Sequence, residues 1–144
     1  MNNSFLKSVI AGIVATIAMT ALMMVSAMMG MPKMEPPKML AETMDAPIAV
    51  GWVMHFMMGI IFALLYVYVI RGWLTKISSP AVKGIVFGII AFIIAQIGMA
   101  AMGAMFPSMP TPEGSKVLLA IGSLMGHVVF GVVVALMAKD TTSY

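Results

Sequence analysis

The two histidines of the chain stand in apolar stretches of similar sequence. His55 lies in GWVMHFMMG, and His127 lies in GSLMGHVVFG. Small residues stand beside each ring, four positions away or adjacent: Gly51, Gly59, Ser123, Gly126 and Gly131. Because residues four positions apart share one face of a helix, each stretch predicts an imidazole between two positions with little side-chain bulk.

Such a pair of histidines favours the binding of a tetrapyrrole cofactor. A six-coordinate haem needs two neutral imidazoles on opposite faces at one height, and helix surface flat enough for the macrocycle. The interiors of helical bundles are common sites for such cofactors. The pattern therefore predicts haem b held by His55 and His127, in electron transfer or in a small subunit of a respiratory complex. The alternative is close helix packing around hydrogen-bonded rings in a cofactor-free accessory subunit.

Methionine gives a second chemical signal. The chain has 19 methionines and none between positions 59 and 98. They are concentrated in MPKMEPPKM and at the ends of the flanking apolar runs, and include Met99, Met102 and Met105. Thioethers are soft ligands that favour Cu(I), so a Cu(I)-handling membrane protein is the alternative function. Methionine also fills irregular cores without binding a metal.

Other site chemistries find little support. There are no cysteines, which excludes disulfides, thiolate metal sites and iron–sulfur clusters. The sequence has no Walker loop, HExxH motif or dinucleotide turn. The net charge of +3 is scattered, so nucleic acid is not an expected partner. Catalysis is expected only through a bound cofactor.

The elements that would carry these residues are membrane-spanning helices. The chain is 62% hydrophobic and only 9% charged, far from the composition of soluble domains. Four apolar runs are long enough to cross a bilayer, at 5–30, 46–70, 81–106 and 115–138. The prediction is an all-α, integral membrane four-helix bundle, with residues 1–144 forming one transmembrane domain. Cleavage of residues 1–27 as a signal peptide stays open.

The sequence also indicates an internal duplication. Lys7 and Gly12 match Lys83 and Gly88 at an offset of 76 positions. His55, Gly59, Ala63 and Leu64 match residues of the fourth run at an offset of 72. We expect two helical hairpins, residues 1–72 and 77–144, related by a pseudo-two-fold axis along the membrane normal. Both histidines would then lie at one depth, on helices at diagonal corners.

Basic residues predict the orientation. Lys7, Arg71, Lys76, Lys83 and Lys139 flank one end of the predicted bundle, against three lysines at the other. Lysine and arginine favour the cytoplasmic side. Both termini are therefore predicted to be cytoplasmic, with the methionine-rich loops outside. All methionines except Met1 and Met137 then fall in the outer half.

Four stretches, AGIVATIAMT, MMGMPKM, GWVMHFMMGIIFALLY and GSLMGHVVFG, resemble a family of small, functionally uncharacterised bacterial membrane proteins. The resemblance covers essentially the whole chain. It implies a Met/Gly-rich four-helix protein of the inner membrane. Independently of the resemblance, the expected partners are the lipid bilayer and either a larger respiratory membrane complex or a second copy of the chain. It implies no particular activity.

Overall fold

The structure, a computed structural model, describes residues 3–107 and 109–138. Met1 and Lys139, which entered the predicted topology, lie outside these ranges. The described residues form helices and connecting segments. In chain order the helices are α1 (Asn3–Met28), α2 (Pro36–Thr43), α3 (Ile48–Leu65), a π-helical turn (Tyr66–Ile70), α4 (Arg71–Trp73), α5 (Pro80–Met105) and α6 (Lys116–Met137).

The four predicted spans are confirmed as helices long and apolar enough to cross a membrane. They are Ser4–Met28, Ile48–Trp73, Pro80–Met105 and Lys116–Met137. Local chemistry sets several of their ends. The hydroxyl of Ser79 accepts a hydrogen bond from the Val82 backbone N–H at 3.4 Å, and Pro80 occupies the first turn of α5, as is usual for helix starts. Gly30, with a φ of 94°, follows the end of α1, a conformation that glycine adopts without steric cost.

The spans pack through glycines. α1 packs against α3 and α6, and α6 packs against α5. A Cβ placed on Gly12 would stand 2.7 Å from the Cα of Ile60 and 2.9 Å from the Gly59 carbonyl. A Cβ on Gly84 would meet the Cα of Val132 at 2.5 Å and the Gly131 carbonyl at 2.7 Å. Both hairpins are therefore held by direct contact between backbones.

These matching contacts relate the hairpins at one offset. Gly12 corresponds to Gly84, and Gly59 to Gly131, 72 positions apart in each case. The first-helix offset predicted from Lys7 and Gly12 was 76, which differs from 72 by about one helical turn. The sequence GIV also occurs at both 12–14 and 84–86, 72 positions apart.

The first connecting segment differs from the predicted proline-rich loop. Residues 36–43 form α2, whose first turn begins with two prolines. Pro37, Leu40, Ala41 and Thr43 are buried, and the helix packs against α3. The Pro37 carbonyl lies where a Cβ of Gly51 would be. α2 therefore covers the start of α3, and we call this end of the bundle the α2 end.

The other half of the bundle has an aromatic core. The ring of Tyr66 lies 4.8 Å from that of Phe87, and Phe130 lies 6.3 Å from Phe87 and 6.4 Å from Phe62. Tyr66 begins the π-helical turn, an irregularity that the sequence analysis did not predict. These rings come from three spans and fill the space between them with apolar surface.

A pair of glycine substitutions tests the backbone contacts. Gly84→Ala should lower the free energy of unfolding by about 1–3 kcal/mol, because its methyl group overlaps the α6 backbone. Gly98→Ala is the matched control on the same helix, since nothing lies within 4 Å of its added Cβ. The measurement is unfolding by sodium dodecyl sulfate in mixed micelles. Equal stability of the two variants would contradict close α5–α6 packing.

Candidate functional site

His55 is buried inside the first hairpin. Its side chain lies between α3 and α1, with 8% of the residue exposed. The ring Nε2 is 3.3 Å from the Thr20 hydroxyl of α1, and the Trp52 ring meets it edge-on at 6.3 Å. The imidazole thus has a hydrogen-bond partner on the neighbouring span, as the packing alternative expects.

His127 is partly buried and is fixed by its own helix. Its Nδ1 lies 2.8 Å from the Ser123 carbonyl oxygen. A carbonyl oxygen only accepts, so Nδ1–H is the donor and the neutral ring keeps its lone pair on Nε2. The Ser123 hydroxyl accepts a hydrogen bond from the Gln96 amide at 3.5 Å. This is the arrangement in which histidines serve as metal ligands, with the other nitrogen bound to a backbone oxygen.

The two rings contact their own hairpins. His55 meets Thr20 on α1, and His127 meets the Phe92 ring on α5 at a centroid distance of 6.0 Å. Thr20 and Phe92 are again 72 positions apart. Within residues 3–107 and 109–138, no hydrogen bond or ring contact joins the two imidazoles. Each imidazole therefore contacts the neighbouring helix of its own hairpin.

Most of the small residues predicted to expose flat helix surface are covered by the protein itself. Gly51 faces the Pro37 carbonyl, and Gly59 faces the Thr16 hydroxyl. Gly131 faces Gly84 and Gly88 of α5. Ser123 holds His127, as described above. These positions provide close packing in the structure, so a macrocycle beside either ring would require the neighbouring segments to move.

The methionines predicted as Cu(I) ligands separate. Met99, itself 36% exposed, lines a half-open cavity of about 250 Å³ between the end of α5, the following loop and α2. Met102 is half-buried and does not line this cavity, and Met105 is 67% exposed. Two other methionines share the cavity with Met99, namely Met39 of α2 and Met109 of the loop. We call this space the methionine cavity. Its remaining lining is Gly103, Phe106, Pro107, Pro110, Thr111 and Pro112.

A second group of methionines lies inside the bundle. A Cβ on Gly122 would meet the methyl of Met34 at 2.6 Å and that of Met31 at 3.5 Å. A Cβ on Gly126 would meet the methyl of Met23 at 2.9 Å and Cγ of Met19 at 3.3 Å. We call Met19, Met23, Met31 and Met34 the inner methionine cluster. Gly126, predicted from the sequence to leave room beside His127, is instead covered by Met19 and Met23, and the sequence carries no signal for this convergence on one face of α6.

The ionisable groups form no compact site. In the described ranges no three His, Cys, Asp or Glu side chains are grouped so that they could hold a metal ion. Glu35 pairs with Lys33 at 3.0 Å and Glu42 with Lys38 at 3.7 Å, with all four side chains well exposed. Exposed pairs of this kind contribute little to stability. The chemistry available in the interior is therefore that of neutral thioethers, hydroxyls and imidazoles.

Comparison with known proteins gives a family and no function. Neither the curated proteins nor the solved structures contain a match to the chain. Residues 2–143 match a family model described as a family of unknown function, DUF6789. Since that match spans nearly the whole sequence, the protein belongs to the DUF6789 family.

Proposed function

We propose that the protein is a membrane protein that binds and handles Cu(I). The observation that carries the proposal is the methionine cavity, where Met39, Met99 and Met109 come from three separate segments. Uncharged sulfur ligands suit Cu(I) and are poor ligands for the hard cations that carboxylates bind. A cavity of about 250 Å³ leaves room for the ion and for movement of the side chains.

The position of the cavity suits capture of an ion from outside the bilayer. It lies where α5 ends, next to the half-buried helix α2 and the loop that contains Met109. Met44 and Met105 at this end are 53% and 67% exposed. Additional thioethers near the α2 end would raise the local concentration of soft ligands and allow the ion to exchange between them.

The proposal includes a location in the bacterial inner membrane with the α2 end outside and both termini cytoplasmic. Support comes from the basic residues flanking the opposite end, among them Lys7, Arg71 and Lys76. It also includes duplication of a two-helix hairpin about a pseudo-two-fold axis. The equivalent glycine contacts of Gly12 and Gly84 support that part. Copper would then meet the methionine cavity from the extracytoplasmic side.

The methionine cavity can be tested by removing its sulfurs. Met39→Leu, Met99→Leu and Met109→Leu in one chain should abolish Cu(I) binding at this site, because leucine keeps the apolar volume without a ligand atom. Cu(I) bound per chain would be measured under reducing, anaerobic conditions against a chromophoric chelator, with protein purified in detergent.

The control replaces three exposed methionines of the membrane-spanning helices by leucine: Met24, Met57 and Met58. This variant should bind as much Cu(I) as the wild type. Equal binding by the cavity variant and the wild type would show that the cavity is not a copper site. A wild-type protein that binds no Cu(I) would overturn the proposed function as a whole.

Haem b bound by His55 and His127 is the second candidate. The bond from Nδ1 of His127 to the Ser123 carbonyl favours it, because that bond leaves Nε2 free to coordinate iron. Against it, Nε2 of His55 is occupied by Thr20, and the adjacent glycines are covered.

An absorption spectrum separates the two candidates. We expect protein purified from haem-replete cells to be colourless, because Gly51 and Gly59 on either side of His55 are covered by Pro37 and Thr16. A reduced b-type spectrum that is lost in both His55→Ala and His127→Ala would instead establish haem ligation. A protein with neither cofactor that co-purifies with a larger membrane complex would match the cofactor-free accessory subunit.

A further inference from the structure

The inner methionine cluster gathers four thioethers on one face of α6. Gly122 and Gly126 are four residues apart, so their Cβ positions would be about 5–6 Å from each other. Met31 and Met34 surround the first position, and Met19 and Met23 surround the second. All four side chains therefore cover one stretch of the α6 surface, two at each of these neighbouring positions. Each has three rotatable bonds with which to redirect its sulfur.

The cluster is buried at Met19 and Met23 and half-buried at Met31 and Met34, and its members neighbour residues that hold the histidines along the chain. Met19 and Met23 are only 7% and 6% exposed. Thr20, which bonds to His55, follows Met19 in the chain, and His127 follows Gly126. Met31 and Met34 belong to the segment before α2, the helix that contributes Met39 to the methionine cavity. The two groups of sulfurs are thus linked by a short stretch of chain.

The inner methionine cluster does not extend into the half of the bundle that holds the aromatic core. The rings of Tyr66, Phe87 and Phe130 are in mutual or serial contact there, and all three are nearly fully buried. Their close packing fills this part of the interior with apolar ring surface, which offers Cu(I) no thioether ligand. An ion that reached the cluster would return by the way it entered.

We propose that the inner methionine cluster is a second Cu(I) site, which holds an ion received from the methionine cavity and releases it at the same end of the protein. The inference rests on the proposed function and deepens it from metal binding to reversible storage or delivery. Coordination by Met19, Met23 and Met34 would replace the water lost from the ion on burial. No change of oxidation state is involved, because the ion enters and leaves as Cu(I).

The test removes the inner sulfurs while keeping their volume. Met19→Leu, Met23→Leu and Met34→Leu in one chain should lower the Cu(I) bound at saturation from about two ions to about one. The matched control carries Met24→Leu, Met28→Leu and Met29→Leu, from the same helix and the residue after it. Those side chains are 65%, 87% and 81% exposed. Both variants are first compared by unfolding in mixed micelles, since leucine for methionine in a core costs less than about 1.5 kcal/mol.

The outcomes separate the inference from the proposed function. Both sites are supported if the triple variant of the inner methionine cluster loses one ion and the triple variant of the methionine cavity retains one. In each variant, X-ray absorption should show only sulfur neighbours at the copper that remains bound. An inner variant that binds as much as the wild type overturns the inference, even where the cavity variant loses its ion. If the inner variant fails to fold, Met19→Leu and Met23→Leu alone, with folding verified, must still lower the stoichiometry or the inference falls.

Discussion

Direct contact between helix backbones at paired glycines is the constraint on which the rest of the structure depends. In a membrane, burial of apolar side chains supplies little net driving force for helix association, because lipid tails are equally apolar. Gly12 with Gly59 and Gly84 with Gly131 bring each hairpin together to a distance at which no Cβ would fit. The depth and rotation of α3 and α6 follow from these contacts. The depth and rotation of these two helices in turn fix where His55 and His127 lie.

The same residue type has a different role nearer the α2 end. At Gly122 and Gly126 the partner is a set of methionine side chains instead of another backbone. A glycine opposite a flexible side chain leaves space that the side chain fills in more than one way. The bundle therefore changes along its length from backbone contacts and aromatic rings to glycine faces covered by thioethers. This gradient places most of the described methionines toward the α2 end.

The sequence predicted the membrane-spanning helices well and the groups that pack against them less well. A run of apolar residues fixes a membrane helix because length and hydropathy alone decide insertion, and all four were found within a few residues. α2 was missed because a short segment with three prolines reads as a loop, although two of them begin the helix. Gly51 and Gly59 showed that something approaches closely, but a glycine does not specify what. The identity of the covering group, Pro37 or Thr16, depends on tertiary structure.

The difference between the two halves of the bundle favours exchange of an ion at the α2 end over conduction of an ion through the bundle. A conducting path needs ligands or water along its whole length, with no site too tight to leave. In the half of the bundle with the aromatic core, Phe87 and Val134 are fully buried, and Tyr66 is 1% exposed. Opening a path there would require separating rings that pack against three spans and would expose the Gly84–Gly131 contact. The α2 end can change by movement of methionine side chains alone, so exchange of a soft ion at that end is compatible with a bundle that stays closed at the other.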